Sequence, residues 1–453
     1  MQQYNIVFYD INKDIVKLNF IFLHKKRKPV EVKKIWKFGG ASIKDADSIR
    51  NMRDIMAENK NNNILVVVSA MGKTTNMLES ILDDFRSHDG NLGIEHLKPL
   101  MQYHEDIILD LFQQDTEHPI LEKVSELFID LYERLQETGF SYDYHYDQTI
   151  CYGELLSSTI IAAFLNESSI PTRWLDARDY IVTDFQFRSA NPDWDETRLR
   201  ISRLEDEHIN GITCLTQGFI GRASDGKSSS TLGREGSDFT AAIFANCLDA
   251  EEVMIWKDVD GLRNADPKRF EKTEKIDKIS YSEAIELSFY GASIIHPKTL
   301  KPLQNKNIPL KVQSFICKDC TPSVIMDYQE CIAYPPSFIV KDHQCLISIA
   351  SRDFSFMNES NLHKLFATFE QLDVHANMIQ TSALTLSICI DEDRIKISSL
   401  TQALQNDYKI RFNEGLQLFT IRHYQHGIEE TFIKDKKILL KQASRSTLQL
   451  VLG

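Results

Sequence analysis

Ile64-Leu65-Val66-Val67-Val68 runs without a break into Ser69-Ala70-Met71-Gly72-Lys73-Thr74-Thr75. A continuous apolar, largely β-branched run fits a strand covered on both faces, the kind found in parallel sheets flanked by helices. The small polar residues that follow end the strand in a turn at its carboxyl end, where open α/β sheets hold their ligands.

The same pattern recurs on either side. Residues 32–38 predict a strand closed by Gly39-Gly40, followed by a helix over 45–60. Residues 76–140 are mostly helical in pattern, and a further helix runs from 149 through 164. Strands are expected at 172–176, 212–216, 252–256 and 310–313, with a helix over 281–290. Strands alternating with helices over this length predict an open α/β/α sandwich. Polar glycine turns after Phe38, Val68 and Gly218 all fall at strand carboxyl ends. Thr231-Leu232-Gly233-Arg234-Glu235-Gly236-Ser237-Asp238 then leads into a buried helical pattern from Phe239. A glycine turn at a helix start offers free N–H groups and a positive dipole end to an anion. Arg234 can hold a carboxylate bidentately.

The texture changes after Pro335-Pro336. Strand, helix, strand, strand, helix and strand are expected at 345–350, 361–372, 374–379, 384–390, 395–406 and 409–412, a ferredoxin-like βαββαβ unit. Further strands are expected at 416–424, 437–442 and 447–452. We therefore divide the chain into residues 1–32, an appendage outside the core; 33–330; and 340–453, with a first unit at 343–415 and an abbreviated second at 416–453.

The net charge of −13 argues against nucleic-acid binding, so cations that meet anionic substrates must be local. The apolar stretch at 15–23 is too short and interrupted to span a membrane, and basic residues follow it rather than precede it, unlike a signal peptide. No membrane partner is expected, and the expected setting is the cytoplasm. Cys317 and Cys320 make the one C-x-x-C pair among eight cysteines, with no matching second pair or histidines for zinc. We expect thiols in a reducing compartment.

There is no G-x-x-x-x-G-K-[ST], no G-x-G-x-x-G after a strand and no protein-kinase signature. Present in order are Lys37-Phe-Gly-Gly-Ala-Ser42, Ser69 to Thr75, Gly153-Glu154, Gly233-Arg-Glu-Gly-Ser-Asp238, Lys257-Asp-Val-Asp-Gly261 and Asp266-Pro267. This set, over residues 33–325, resembles the aspartate kinases of the amino-acid kinase superfamily, and the tail resembles their ACT regulatory region. The resemblance implies the amino-acid kinase fold, ATP and Mg²⁺ as cofactors and phosphorylation of the L-aspartate β-carboxylate. It implies Lys37 at the transferring phosphoryl group, with Asp238 ordering it. Ser69 and Thr75 are implied at the reacting end of the substrate, Glu154 at its ammonium and Arg234 at its α-carboxylate. Gly39, Gly40, Ser42, Lys257, Asp258, Arg263, Lys268 and Ser293 are implied at the nucleotide. No metal ligand from the protein is assigned.

The chain departs from the family pattern at three places. Ala41 replaces a usual threonine, Glu235 replaces a frequent glycine and is expected to point away from the anion site, and Ser293 replaces a common lysine, for which Lys298 or Arg263 is left to compensate. The ACT resemblance implies dimerisation and an amino-acid effector near Val374, Asn377 and Met378. Neutral Asn377, where some lysine-inhibited relatives carry aspartate, argues against lysine. In the second unit, residues 425–436 are too few for the usual helix between two strands. Two other readings stay open: a kinase for another acid, such as glutamate or acetylglutamate, and a non-catalytic amino-acid sensor.

Overall fold

The computed structural model describes residues 34–453 apart from 60–62, 89–90, 207–211, 293, 318, 354 and 434–435. The expected extension at 1–32 and Ser293 lie outside the described residues.

An eight-stranded sheet forms the first domain, in the order Lys278–Ile279, Ser323–Ile325, Leu310–Ser314, Glu252–Lys257, Lys34–Phe38, Ile64–Val68, Thr213–Gln217, Thr172–Leu175. Its central strands are parallel, with Lys37 level with Val67 on one side and Ile255 on the other. Only Ser323–Ile325 runs against a neighbour, Leu310–Ser314.

Alternation along the strands builds two cores. Trp36, Phe38, Val66 and Val68 pack on one face with Ile49, Leu78, Phe128 and Leu156. Ile35, Leu65 and Val67 pack on the other with Phe239, Ile243 and Leu300. Every residue of Ile64–Val68 is buried, which is why that run carries no polar face. The helix Tyr142–Glu167 is long and apolar enough to cross a membrane, but 89% of its most apolar window is inside the protein, so it reads as a core helix.

The second domain is a six-stranded antiparallel sheet in the order Ala376–Thr381, Thr385–Asp391, Ser337–Ser351, Tyr408–Arg422, Thr447–Leu452, Ile438–Ala443. Helices Glu359–Gln371 and Arg394–Leu404 cover the first unit. Where the sequence suggests separate strands at 409–412 and 416–424, one 15-residue strand, Tyr408–Arg422, runs through both units. Gly415, at φ +69°, lets it bend without breaking. Among the described residues, only the 3₁₀ turn Ile428–Thr431 stands between Arg422 and Ile438.

The domains meet over a buried ion pair. Arg422 donates to both carboxylate oxygens of Glu283, at 3.1 and 3.0 Å, and His423 Nε2 lies 2.9 Å from the same carboxylate. Phe338 N donates to Asn264 O at 2.7 Å, and the Phe338 ring stacks on Phe270. The expectation for Cys317 and Cys320 is corrected. They form a disulfide on the turn after Leu310–Ser314, where Gln313 Nε2 donates to Cys320 O at 2.8 Å and folds the turn back.

Candidate active site

Several chain segments converge at the carboxyl ends of the central strands and line a cavity of about 590 Å³. Gly40 and Ala70 bring the first two together. A Cβ at Gly40 would sit 2.8 Å from Ala70 O, so only glycine lets the turns touch. Gly153 does the same for the helix Tyr142–Glu167, where a Cβ would sit 2.9 Å from Ala70 Cβ. Ser157 Oγ donates to Ser69 O at 2.7 Å and holds that turn against the helix.

Lys37 shares its strand face with Ile35, the face covered by the helix Gly236–Cys247. Its ammonium therefore meets the first turn of that helix, 2.6 Å from Asp238 Oδ1, with both side chains largely buried. Burial works to raise the Asp238 carboxyl, but the charges of Lys37 and Lys257 outweigh it and hold the group below its ordinary range.

Glu154 is different. It is buried, its Oε1 accepts from Ala70 N at 3.3 Å, and its Oε2 has no partner. Burial pushes its carboxyl up to about 8, against the weaker pull of Ala70 N–H and Lys37. A buried carboxylate oxygen without a donor is costly unless a ligand supplies one. Asp147, seven residues earlier on the same helix, is satisfied. It accepts from Thr231 N and Oγ1, both at 2.7 Å, and from Arg188 N at 3.0 Å. Burial still pushes Asp147 up to about 7. It pins the strand before Gly233 to the loop that carries Arg188.

Arg234 is exposed, with no hydrogen-bond or ion-pair partner among the described residues. Glu235 adopts a left-handed φ of 54° and turns its carboxylate away, accepting the His296 N–H at 2.8 Å. That N–H belongs to the N-cap of the helix Pro297–Gln304. The unusual glutamate thus ties the turn to that helix.

The sequence-predicted residues Lys37, Gly40, Ser69, Thr75, Glu154, Arg234, Asp238 and Lys257 all line this cavity. Tyr146, Arg188 and Phe219 line it too and carry no motif. The Arg188 guanidinium lies 4.6 Å over the Tyr146 ring. Gly39 lines neither this cavity nor the next, but a Cβ there would sit 3.4 Å from Lys37 Nζ.

A second cavity of about 820 Å³ shares Lys257 with the first and includes Asp258, Arg263 and Lys268. The Arg263 guanidinium is already engaged there, forked onto Asp260 at 3.0 and 2.7 Å and bonded to Thr273. Ser42 belongs to neither cavity, contrary to expectation. It is buried and its hydroxyl donates to Trp256 O at 3.3 Å, tying the 3₁₀ turn Gly40–Ile43 to the strand Glu252–Lys257. Lys298, considered as a substitute cation, donates to Ser189 Oγ at 3.1 Å. Val374 and Met378 are also corrected. Both are buried in the core of the regulatory sheet, whereas Asn377 bonds Lys341, Gln344 and Asp391.

The model of the amino acid kinase family matches residues 33–314. The chain belongs to that family. Among its relatives, lysine-sensitive aspartokinase 3 of Escherichia coli is 28% identical over 396 residues, covering 85% of this chain and 86% of that protein. Bifunctional aspartokinase/homoserine dehydrogenase 2 of Arabidopsis thaliana, chloroplastic, is 27% identical over 397 residues. That match covers 85% of this chain and 42% of the plant protein, so the chain spans less than half the length of such bifunctional relatives. The crystal structure of E. coli aspartokinase III with aspartate and ADP, in its R-state, superposes with a TM-score of 0.78 at 26% identity, covering 93% of this chain and 96% of that one. The T-state of the same enzyme, with lysine and aspartate, gives a TM-score of 0.73 at 25% identity, covering 92% and 95%. This member of the amino acid kinase family therefore carries both the fold and a polar cavity at the edge where ligands of open α/β sheets sit.

Proposed function

We propose that this chain transfers the γ-phosphoryl group of ATP to the β-carboxylate of L-aspartate, giving 4-phospho-L-aspartate, the first step towards lysine, threonine and methionine. One observation carries the choice of substrate class: Glu154, whose buried Oε2 has no hydrogen-bond partner among the described residues, lines the same cavity as the unengaged Arg234. A buried acid opposite an unengaged guanidinium suits the ammonium and α-carboxylate of a free amino acid. An N-acetylated acid has no ammonium and would leave Glu154 unsatisfied.

A β-carboxylate is ionised at neutral pH and needs no general base. The task is to bring two anions together while charge spreads over the transferring phosphoryl oxygens. Lys37, held by Asp238 at 2.6 Å, supplies fixed positive charge for that moment with little reorganisation. Ser69 and Thr75 offer hydroxyl donors to the reacting carboxylate, and Arg188 adds a second cation to the rim. ATP is assigned to the larger cavity beyond Lys257, with Gly39 and Gly40 beneath its phosphates. Mg²⁺ would neutralise those phosphates when bound, and it commonly keeps several waters and few protein ligands. The presence of ADP and aspartate in the E. coli structure supports both assignments. We also assign an amino-acid effector, pairing of copies through the regulatory sheet, whose edge strand Ala376–Thr381 has no outer neighbour among the described residues, and a cytoplasmic setting on the ATP it requires.

The test is ADP release with L-aspartate, L-glutamate and N-acetyl-L-glutamate, repeated with Lys37→Ala. The reading requires aspartate-dependent turnover that the substitution abolishes. Binding of aspartate without turnover would instead make the chain a sensor.

A further inference from the structure

A third cavity, of about 520 Å³, opens between the two domains and shares Arg234 with the amino-acid cavity. On its kinase side are Arg234, Glu235 and His296. On its regulatory side are Lys341, Gln344 and Asp391. Arg234 thus stands in the wall between substrate and regulatory sheet.

The acid across the cavity is held by amides and makes no direct ion pair among the described residues. Gln344 Nε2 and Asn377 Nδ2 donate to the same oxygen, Asp391 Oδ1, at 2.8 and 2.9 Å. Neither amide cancels the charge. Asp391 Oδ2 receives no hydrogen bond from a described residue. Against burial, the amides of Gln344 and Asn377, the charge of Lys341 and, least, the charge of Arg234 across the cavity hold its carboxyl below the ordinary range. Asn377 also accepts from Lys341 Nζ at 2.8 Å, and the Lys341 chain lies over Gly291, where a Cβ would meet its Cε at 2.3 Å. The acid is therefore wired to Asn377 on the edge strand of the regulatory sheet and clamped at its other end onto the kinase domain.

We propose that Asp391 competes with the substrate α-carboxylate for Arg234. When the regulatory sheet closes on residues 233–235, Asp391 draws the guanidinium out of the amino-acid cavity. When the sheet withdraws, Arg234 returns to the substrate. Regulation of this kind changes affinity for the amino acid and leaves the Lys37–Asp238 pair untouched. The proposal rests on the assignment of Arg234 to the substrate carboxylate.

The experiment is steady-state ADP release by Asp391→Asn, Asp391→Glu, Arg234→Ala and the Arg234→Ala/Asp391→Asn double variant, each with and without added L-lysine and L-threonine. Asp391→Asn should lower KM for aspartate about two- to fivefold, the range an exposed ion pair gives, with kcat within about twofold. Asp391→Glu, which keeps the charge, should restore the wild-type KM. In the Arg234→Ala background the Asp391→Asn effect should vanish, since the two groups act on one another. Where an added amino acid raises KM in the wild type, Asp391→Asn should blunt that rise. An unchanged or raised KM in Asp391→Asn, or additive effects in the double variant, overturns the proposal. Should Arg234→Ala itself leave KM unchanged, the substrate assignment of Arg234 fails as well, which separates the two failures.

Discussion

Lowering the pH should weaken recognition of the amino acid before it damages the chemical step, because Glu154 is the group offered to the ammonium. Burial holds its carboxyl at about 8, so the free protein carries it mostly protonated at neutral pH. An ammonium binds the ionised form, and KM then scales with one plus the ratio of protonated to ionised carboxyl. From pH 8 to pH 7 KM for aspartate should rise about fivefold, and from pH 8 to pH 6 about fiftyfold. The folded carboxyl lies above its ordinary value of 4.5, so its stabilising protonation is complete below pH 4.5 and is lost as pH rises through about 8. Bound aspartate offsets that loss, so its effect on Tm should be larger at pH 8 than at pH 6. Glu154→Gln removes a charged hydrogen bond, raising KM at pH 8 by about ten- to a hundredfold and flattening the profile. Initial rates of ADP release over about pH 6 to 8.5 give the curve. A KM constant within about twofold across that range, or a Glu154→Gln variant that keeps the wild-type slope, would refute the reasoning.

Three further perturbations test the frame around the site. Gly40→Ala places a methyl 2.8 Å from Ala70 O, a backbone atom that cannot swing aside, so urea unfolding should show a loss of about 1–3 kcal/mol and kcat should fall with it. Arg422→Met leaves Glu283 buried beside His423 alone; a loss of about 3–5 kcal/mol is expected, seen as an earlier urea transition of the regulatory domain. Glu235→Gly relieves a left-handed residue but frees the His296 N–H, and these opposed effects of about 1 kcal/mol each should leave Tm nearly unchanged.

Much of the site was legible because most of its residues sit at strand ends and helix starts, where glycine and polar residues interrupt apolar runs; Glu154, mid-helix, shows as a carboxyl in an apolar run. Lys37, Glu154 and the Arg234–Asp238 turn are far apart in sequence, yet parallel neighbours put their segments on one edge. Arg188 was not legible, because its loop shows no periodicity and its position depends on distant partners: its N–H on Asp147, its guanidinium on Asp143 and the Tyr142 and Tyr146 rings. A faint signal existed: Asp147 and Glu154 are seven residues apart, so they share a face of one apolar helix, where two carboxyls need partners. Ser42 misled because a hydroxyl in a motif looks the same whether it faces a ligand or a neighbouring carbonyl. Val374 and Met378 misled because each is taken into a different core cluster, Val374 just before the edge strand and Met378 within it, while Asn377 is spent on Lys341, Gln344 and Asp391. The fusion of two regulatory units into one sheet could not be read from residues 409–424, since bending at Gly415 and breaking there leave the same local pattern.

The strand Ser337–Ser351 has a mechanical consequence. Its far half pairs with Thr385–Asp391, next to the edge strand that carries Asn377, while Ser337–Val340 form part of the wall of the larger cavity. At about 3.3 Å per residue it is a bar of roughly 50 Å. Its register shifts between Lys341 and Leu346, where His343 has a φ of 52°. That interruption is a fulcrum. A small tilt of the outer arm, imposed by a ligand or copy seated against the edge strand, is therefore expected to change the width of the cleft beside Lys257.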